Sequence, residues 1–391
     1  MTVQGRSDGQ AGRIRLGMVG GGEGAFIGAV HRIASRIDDH FTLVAGALSS
    51  TPEKAHASAR ALGLDDQRSY GSYEDMVRGE AARPDGVEAV AIVTPNHMHF
   101  PVAKTCLEAG FHVICDKPMT VTLQEAKALA EIAAASGRVF VLTHNYTGYP
   151  MIRQARAMVA RGDLGTIRVV IAEYAQDWLA ARAEDAGSKQ ASWRVDPAKA
   201  GAGGAIGDIG THAHNLACYV TGARVAALSA DLTSFVNGRV LDDNASMLLR
   251  FDNGAKGMLW ASQVAVGNEN GLTLRVYGDK GGLEWSQEEP NRLWYTPLGE
   301  PKRLLTRNGA GADSAAIAVA RVPAGHPEGY LEGFATIYME AAELIRAARD
   351  GRSPADGIAL PTIAEGLAGL AFIEACIASS KADGAWVRLE A

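Results

Sequence analysis

From residue 14 onward the chain alternates short apolar runs with amphipathic stretches. The run Ile14-Arg15-Leu16-Gly17-Met18-Val19 breaks into Gly20-Gly21-Gly22, and residues 25–32 then carry their apolar positions at helical spacing. This reads as strand, tight turn and helix. Residues 41–48 (FTLVAGAL) predict a second strand. In Thr51-Pro52-Glu53-Lys54 the threonine caps a helix and the proline takes its first position, with the helix running to about Leu62. The alternation continues with a helix over 73–78, a strand over 89–93, a helix over 101–109, a strand over 112–115, a helix over 123–135 and a strand over 139–143. These strands are almost wholly apolar, so both faces of their sheet must be covered. A doubly wound parallel α/β domain of the Rossmann type, spanning residues 14–145, follows.

Past residue 150 the segments lengthen and become rich in Val, Thr, Tyr and Trp. Alternating stretches at 167–178, 225–236 and 245–266, the last folded about Asp252-Asn253-Gly254, predict strands and hairpins. Residues 273–277 and 283–285, joined by 278–282, predict another. We read a second α/β domain over residues 146–391 with a largely antiparallel open sheet. Helices belong at 151–160, 211–220, 331–348 and 363–380, the last returning to pack near the first domain. Residues 181–207 and 307–328 are polar or glycine-rich and predict long loops of the kind that carry function. The polar, glycine-rich residues 1–13 predict a disordered tail.

Composition acts mainly by exclusion. With 391 residues, 47% of them hydrophobic, the chain can bury more than one core. The 38 basic and 44 acidic residues leave a net charge of -6 without long like-charge blocks, so no surface for nucleic acid or an anionic membrane is predicted. Cys106, Cys115, Cys218 and Cys376 lie far apart, with no Cys-x-x-Cys pair, and read as buried reduced thiols. No metal site is expected. No uninterrupted apolar run reaches about 18 residues and the start lacks a hydrophobic leader, which makes the cytoplasm the expected compartment.

Gly20 and Gly22 stand between a strand and a helix, where a dinucleotide pyrophosphate could approach the backbone and the helix N-terminus. A plain glycine turn is the competing reading; the strand-turn-helix setting favours the nucleotide. Gly28 comes about two residues late for Gly-x-Gly-x-x-Gly, so residues 23–26 form a small insertion that brings Phe26 and Ile27 to the cofactor. At the end of the second strand, where an acid normally grips the ribose diol, stand Ser49 and Ser50. Lys54 is the nearby cation, with no arginine adjacent. This favours NAD and leaves NADP admissible.

Two further segments narrow the function. Thr94-Pro95-Asn96-His97-Met98-His99 and Ala109-Gly110-Phe111-His112-Val113-Ile114-Cys115-Asp116-Lys117-Pro118 resemble the T-P-x-x-x-H and A-G-x-H-V-x-x-E-K-P signatures of the glucose-fructose oxidoreductase/inositol dehydrogenase/rhizopine catabolism (Gfo/Idh/MocA) family. Gly207-Asp208-Ile209-Gly210-Thr211-His212 is similar to that family's D-x-G-x-H motif, and Trp193-Arg194 precedes it. The resemblance runs from Ile14 over nearly the whole chain. It departs at the glycine-loop insertion, at Asp116 in place of glutamate, and at the missing ribose acid.

The resemblance implies that His212 is the base, that Lys117 orients the reacting hydroxyl, and that Asp208 hydrogen-bonds substrate or histidine. It sets Thr94, Pro95, Asn96, His99, Asp116 and Lys117 along the cofactor. Chemistry agrees: oxidising a secondary alcohol needs a base, a donor on the oxygen and a nicotinamide within reach. Without it, Lys117 reads as a surface lysine before a turn proline, His212 as a core histidine and Asp208 as an N-cap. Asn145, Tyr146, Gln176, Trp193, Arg194 and His326 are the further substrate candidates; Tyr146, Trp178 and Trp193 read equally as core aromatics. His97, His99 and His212 do not share ligand spacing on one element, so a metal trio is rejected.

The expected activity is oxidation of a ring hydroxyl of an inositol or cyclic sugar. An aldose or glycoside dehydrogenase acting at carbon 1 or carbon 3 is the alternative. A non-catalytic nucleotide-dependent sensor is a third reading, but it would dispense with Lys117 or His212. By resemblance, the outer face of the antiparallel sheet forms a homo-oligomer, dimer or tetramer.

Overall fold

The computed structural model describes residues 12–389; the expected tail, apart from Gly12 and Arg13, lies outside them. The first layer system comprises β1 (Ile14–Gly20), α1 (Phe26–Ile37), β2 (Phe41–Ala47), α2 (Pro52–Ala61), α3 (Tyr73–Ala81), β3 (Ala89–Val93), α4 (His99–Glu108), β4 (His112–Cys115), α5 (Leu123–Ser136) and β5 (Phe140–Leu142). Its strands are all parallel, in the order β2-β1-β3-β4-β5. The order reverses between β1 and β3, which opens a crevice at their carboxyl ends. Along β3, Val90 and Ile92 face one hydrophobic core while Ala89, Ala91 and Val93 face another, so the sheet is covered on both sides as the apolar strands require.

The rest of the chain forms α6 (Pro150–Arg161), β6 (Ile167–Ala175), α7 (Lys189–Arg194), α8 (Pro197–Ala200), α9 (Thr211–Thr221), β7 (Val225–Thr233), β8 (Asn244–Phe251), β9 (Lys256–Ser262), β10 (Gly271–Gly278), β11 (Gly281–Ser286), β12 (Arg292–Pro297), β13 (Arg303–Thr306), α10 (Ser314–Ile317), α11 (Tyr330–Asp350), α12 (Ile363–Lys381) and β14 (Val387–Arg388). The nine-stranded sheet runs β13-β12-β11-β10-β6-β9-β8-β7-β14. It is antiparallel except where β6 pairs with β9 in parallel. One face buries Val170, Ala172 and Tyr174 of β6 against α9, with α6 over β11 and β12; on the other, Val169, Leu248 and Met258 are exposed.

The two C-terminal helices serve both domains. Phe334, Ala335, Ile337, Tyr338, Ala341 and Ile345 of α11 complete the core on the α1 side of the parallel sheet. Tyr338 Oη lies 2.8 Å from His31 Nδ1 on α1. On the other side of α11, Glu340 takes two hydrogen bonds from Arg153 of α6, at 2.7 and 2.9 Å, with both side chains almost fully buried. Among the described residues α12 is the one helix long and apolar enough to cross a membrane by length and composition, with a mean hydropathy of 1.4. In the fold Leu370, Phe372, Ile373 and Cys376 of α12 are buried, and the helix packs on α5 and β5 as well as on β7.

Several local expectations are corrected. The stretches 181–207 and 307–328 contain the short helices α7, α8 and α10, whose caps Ser188, Asp196 and Asp313 accept hydrogen bonds from the first turn. Strands β12, β13 and β14 extend the sheet at its edges beyond the predicted hairpins. Thr51 occupies the N-cap of α2 with Pro52 inside the first turn, but its hydroxyl makes no capping bond. Asp208 is not a cap: it lies in a π-helical turn over Ile206–Gly210, and Gly210 is the N-cap of α9.

Candidate active site

The crevice begins at the glycine loop. Gly20 and Gly21 have φ of +78° and +72°, a backbone state open to glycine at little cost. A Cβ on Gly22 would stand 2.4 Å from the Leu48 carbonyl oxygen and 2.7 Å from Ser58 Oγ, so only a bare backbone fits there. Gly28, though displaced in sequence, fills the packing position: its Cβ would meet the Gly21 oxygen at 2.2 Å. The insertion is taken up by a turn at Glu23 and Gly24, and α1 starts late, at Phe26. Its N-cap, Ala25, offers no side-chain acceptor, leaving the first-turn N–H groups free for an anion. Phe26 is 66% exposed and its ring stacks toward Tyr330 at 6.3 Å. These are the features of a pyrophosphate cradle, and a dinucleotide fits them.

At the carboxyl end of β4, Asp116 Oδ1 accepts from the Lys117 amide and from Thr143 Oγ1, each at 2.9 Å, and fixes the start of the Lys117 turn. Lys117 reaches across to the second domain. Its Nζ donates to Asp208 Oδ1 at 2.9 Å and also to the Asp208 backbone oxygen. The other carboxylate oxygen, Oδ2, accepts from Arg194 Nε at 3.1 Å and Gln263 Nε2 at 2.8 Å. Asp208 is therefore saturated by three donors from α7, β4's end and the bend that follows β9. Arg194 stacks on the Trp193 ring at 4.2 Å and faces Trp178 at 5.8 Å.

One turn on, His212 sits on α9 inside an aromatic box. Its ring centroid lies 4.9 Å from Tyr146, 5.2 Å from His144 and 6.2 Å from Tyr174. Behind it the Tyr146 and Tyr174 hydroxyls are 2.6 Å apart, and Tyr174 donates to Asn270 Oδ1 at 2.7 Å. Gln176 Nε2 donates to the same oxygen at 2.8 Å. Burial works against the charge on Asp208, but Arg194 and Lys117 overcome it and hold the carboxyl well below its ordinary range. Burial, then Lys117 and His144, push His212 well below 6.5, so its imidazole is neutral at pH 7. A neutral imidazole beside an ammonium and a fixed carboxylate can accept a proton from a hydroxyl held by that ammonium.

Other predicted residues take separate places. Asn145 is buried with an unpaired amide nitrogen, and Thr94 likewise holds an unpaired hydroxyl at the crevice end of β3. Pro95 follows it, and Asn96 Nδ2 donates to the Ala200 carbonyl at 2.9 Å, tying the two domains together. Both ring nitrogens of His99 face backbone carbonyls, Pro118 at 2.6 Å and Thr94 at 3.0 Å, so this side chain braces the crevice wall. Ser49 is half-buried, while Ser50 and Lys54 are exposed near the glycine loop. His326 is exposed on its loop and makes no side-chain bond to the cluster. Sequence reasoning missed His144, Tyr174, Gln263 and Asn270. Each comes from a strand end or loop far from the motifs, and only the adjacency of His144 to Asn145-Tyr146 offered a signal.

A glycine-lined crevice opening onto a lysine, a saturated aspartate and a neutral histidine places the molecule among the NAD-binding oxidoreductases. Residues 14–146 match the oxidoreductase family with an NAD-binding Rossmann fold, and residues 152–284 match the GFO/IDH/MocA C-terminal domain. The chain belongs to the Gfo/Idh/MocA family. The crystal structure of an oxidoreductase from Sinorhizobium meliloti is 58% identical, with a TM-score of 0.89 over 96% of this chain and 100% of that one. An inositol dehydrogenase homolog from Azotobacter vinelandii, crystallised with NADH and myo-inositol, is 39% identical, with a TM-score of 0.90 over 97% and 98% of the two chains. Levoglucosan dehydrogenase of Pseudarthrobacter phenanthrenivorans is 28% identical, covering 96% of this chain and 97% of that one.

Proposed function

We propose that this protein is a cytoplasmic NAD-dependent dehydrogenase that oxidises one ring secondary hydroxyl of an inositol or cyclic sugar to a ketone. The observation that carries the reading is the pairing, in one crevice, of the Lys117 ammonium with the neutral His212 imidazole. Lys117, held by Asp208 at 2.9 Å, donates to the hydroxyl oxygen and stabilises it as charge develops. His212 accepts the hydroxyl proton. The nicotinamide supplies the hydride acceptor, so the carbinol carbon loses a hydride and the oxygen a proton, leaving a ketone and NADH. Trp193, Arg194, Asn145 and Gln176 provide the donors and walls that a ring with several hydroxyls needs.

The Azotobacter vinelandii relative with myo-inositol supports the inositol reading. A glycoside or aldose dehydrogenase is the second reading, supported by the levoglucosan enzyme. Retention of both Lys117 and His212 speaks against a non-catalytic sensor. The exposed Val169, Leu248 and Met258 on the outer face of the nine-stranded sheet suit association with a second copy as a homo-oligomer. The test is NADH formation across inositols, aldoses and anhydrosugars, with Lys117→Ala and His212→Ala as controls. Turnover lost in both variants supports the assignment; NAD binding without turnover across the panel overturns it.

A further inference from the structure

We propose that His144 is a positioning residue that sets the tautomer of His212, leaving Nε2 of His212 unprotonated toward the substrate. The inference rests on the reading of His212 as the base and deepens it. His144 follows β5, and its backbone is pinned at both ends: its amide donates to the Leu142 carbonyl at 2.9 Å and its own carbonyl accepts from Thr147 Oγ1 at 2.9 Å. The ring is buried and meets His212 nearly at right angles, with an interplanar angle of 87°. The two Nδ1 atoms face each other at 3.4 Å.

Two neutral imidazoles in this arrangement have two choices, because one Nδ1 must carry a proton and the other a lone pair. If His144 donates, His212 keeps its proton on Nε2 and cannot act as a base there. If His212 donates from Nδ1, its Nε2 lone pair is free, and His144 carries its own proton on Nε2. Only the second arrangement serves the reaction. His144 is suited to accept because it stays uncharged: burial, then Lys117 and His214, bring it down to about 3. The charged and titratable groups around the pair are Lys117 and His214 about His144, and Lys117 and Asp208 about His212. The hydroxyls of Tyr146 and Tyr174 close the box and are engaged with each other and with Asn270. Neither offers His212 Nδ1 an alternative acceptor.

The test uses full-length protein labelled with 15N-histidine, the His212 resonances being assigned by their loss in His212→Asn. We expect the Nδ1–H tautomer at His212 without substrate, a shift toward Nε2–H in His144→Phe, and restoration in His144→Asn, whose side-chain oxygen lies near the place of Nδ1. In hydride transfer, His144→Phe should lower kcat/KM about 10–100-fold with the KM for NAD unchanged, and His144→Asn should recover most of it. An Nε2–H tautomer in the wild type, or a tautomer and rate indifferent to His144→Phe, overturns the proposal. The tautomer measurement needs no substrate, so it decides the proposal even where no polyol is turned over. That second result would count against the dehydrogenase reading alone.

Discussion

Replacing Asp208 by asparagine would test whether the Lys117-Asp208-Arg194 contact is an energetic unit. The carboxylate receives Lys117 on one oxygen and Arg194 with Gln263 on the other, at 2.8 to 3.1 Å. An amide has one acceptor oxygen. Turned toward Arg194 and Gln263, it presents an NH2 group to the ammonium of Lys117; turned the other way, it loses two donors. The least damaging orientation forfeits one charge-assisted bond, about 1.5–3 kcal/mol. It also leaves two cations in a site where the side chains of Lys117, Asp208 and Arg194 are 14%, 18% and 25% exposed. Breaking a fully buried pair costs about 3–5 kcal/mol; with this residual exposure we expect about 3 kcal/mol. Given roughly 2 °C per kcal/mol for a unit of some 250 residues, the melting temperature should fall by about 6 °C. The pH dependence sharpens the test. Because the folded carboxyl lies below its ordinary 3.8, its contribution is complete above that value and disappears as pH falls through the folded value. The gap between wild type and Asp208→Asn, measured by calorimetry, should thus be flat from pH 8 to 5 and close below pH 4. A melting temperature unchanged at pH 7, or a gap that widens on acidification, would refute the reasoning.

Four other outcomes are expected. Burial lowers His31, His99, His112, His144, His212 and His214, so their contribution is present above about 6.5 and is lost as pH falls. Asp242, raised to about 6 by burial, works in the opposite sense; melting temperature should nonetheless drop from pH 6.5 to 4.5, and a flat profile contradicts the histidine count. Gly22→Ala should weaken NAD binding at least tenfold by calorimetry, because its Cβ collides with the Leu48 oxygen; unchanged affinity would remove the loop from the cofactor site. Arg153→Met should cost about 3–5 kcal/mol by leaving Glu340 charged and alone, while Arg153→Met with Glu340→Leu recovers most of it in denaturant titrations. Phe26→Ala, removing an exposed ring at the cradle, should raise the Kd for NAD with no change in melting temperature beyond about 1 °C.

What the sequence made legible follows the reach of each signal. The parallel domain could be read because fully buried strands such as Ala89–Val93 are apolar at every position and are separated by helices of ordinary length. Lys117, Asp208 and His212 were legible through motif order. Edge strands β12 and β13 were not, since the exposed-buried alternation of Arg292–Pro297 ends after three residues and Arg303–Thr306 lies mostly exposed. The helices α7 and α8, of six and four residues, are too short for periodicity to register. Their formation depends on caps and on Arg194 finding Asp208. The meeting of His144 with His212, 68 positions apart, is a product of domain packing alone. So is the loan of α11 to the first domain's core, because an apolar face in sequence does not say which sheet it will cover.

The parallel junction at β6 also sets an order of assembly. Both neighbours of β6, namely β9 on one side and β10 on the other, are synthesised after it, at Lys256–Ser262 and Gly271–Gly278. As the chain leaves the ribosome, Ile167–Ala175 must wait about a hundred residues with its edges unsatisfied, and the opposite rim is sealed only when Val387–Arg388 pairs with β7. The parallel sheet, by contrast, has every strand in hand by residue 142 and lacks only the cover supplied by α11 on one face and α12 on the other. Nascent chains arrested before residue 280 should therefore present β6 as a sticky, chaperone-dependent edge. The domain of the nine-stranded sheet matures last, and a shortened C-terminus would be felt first there.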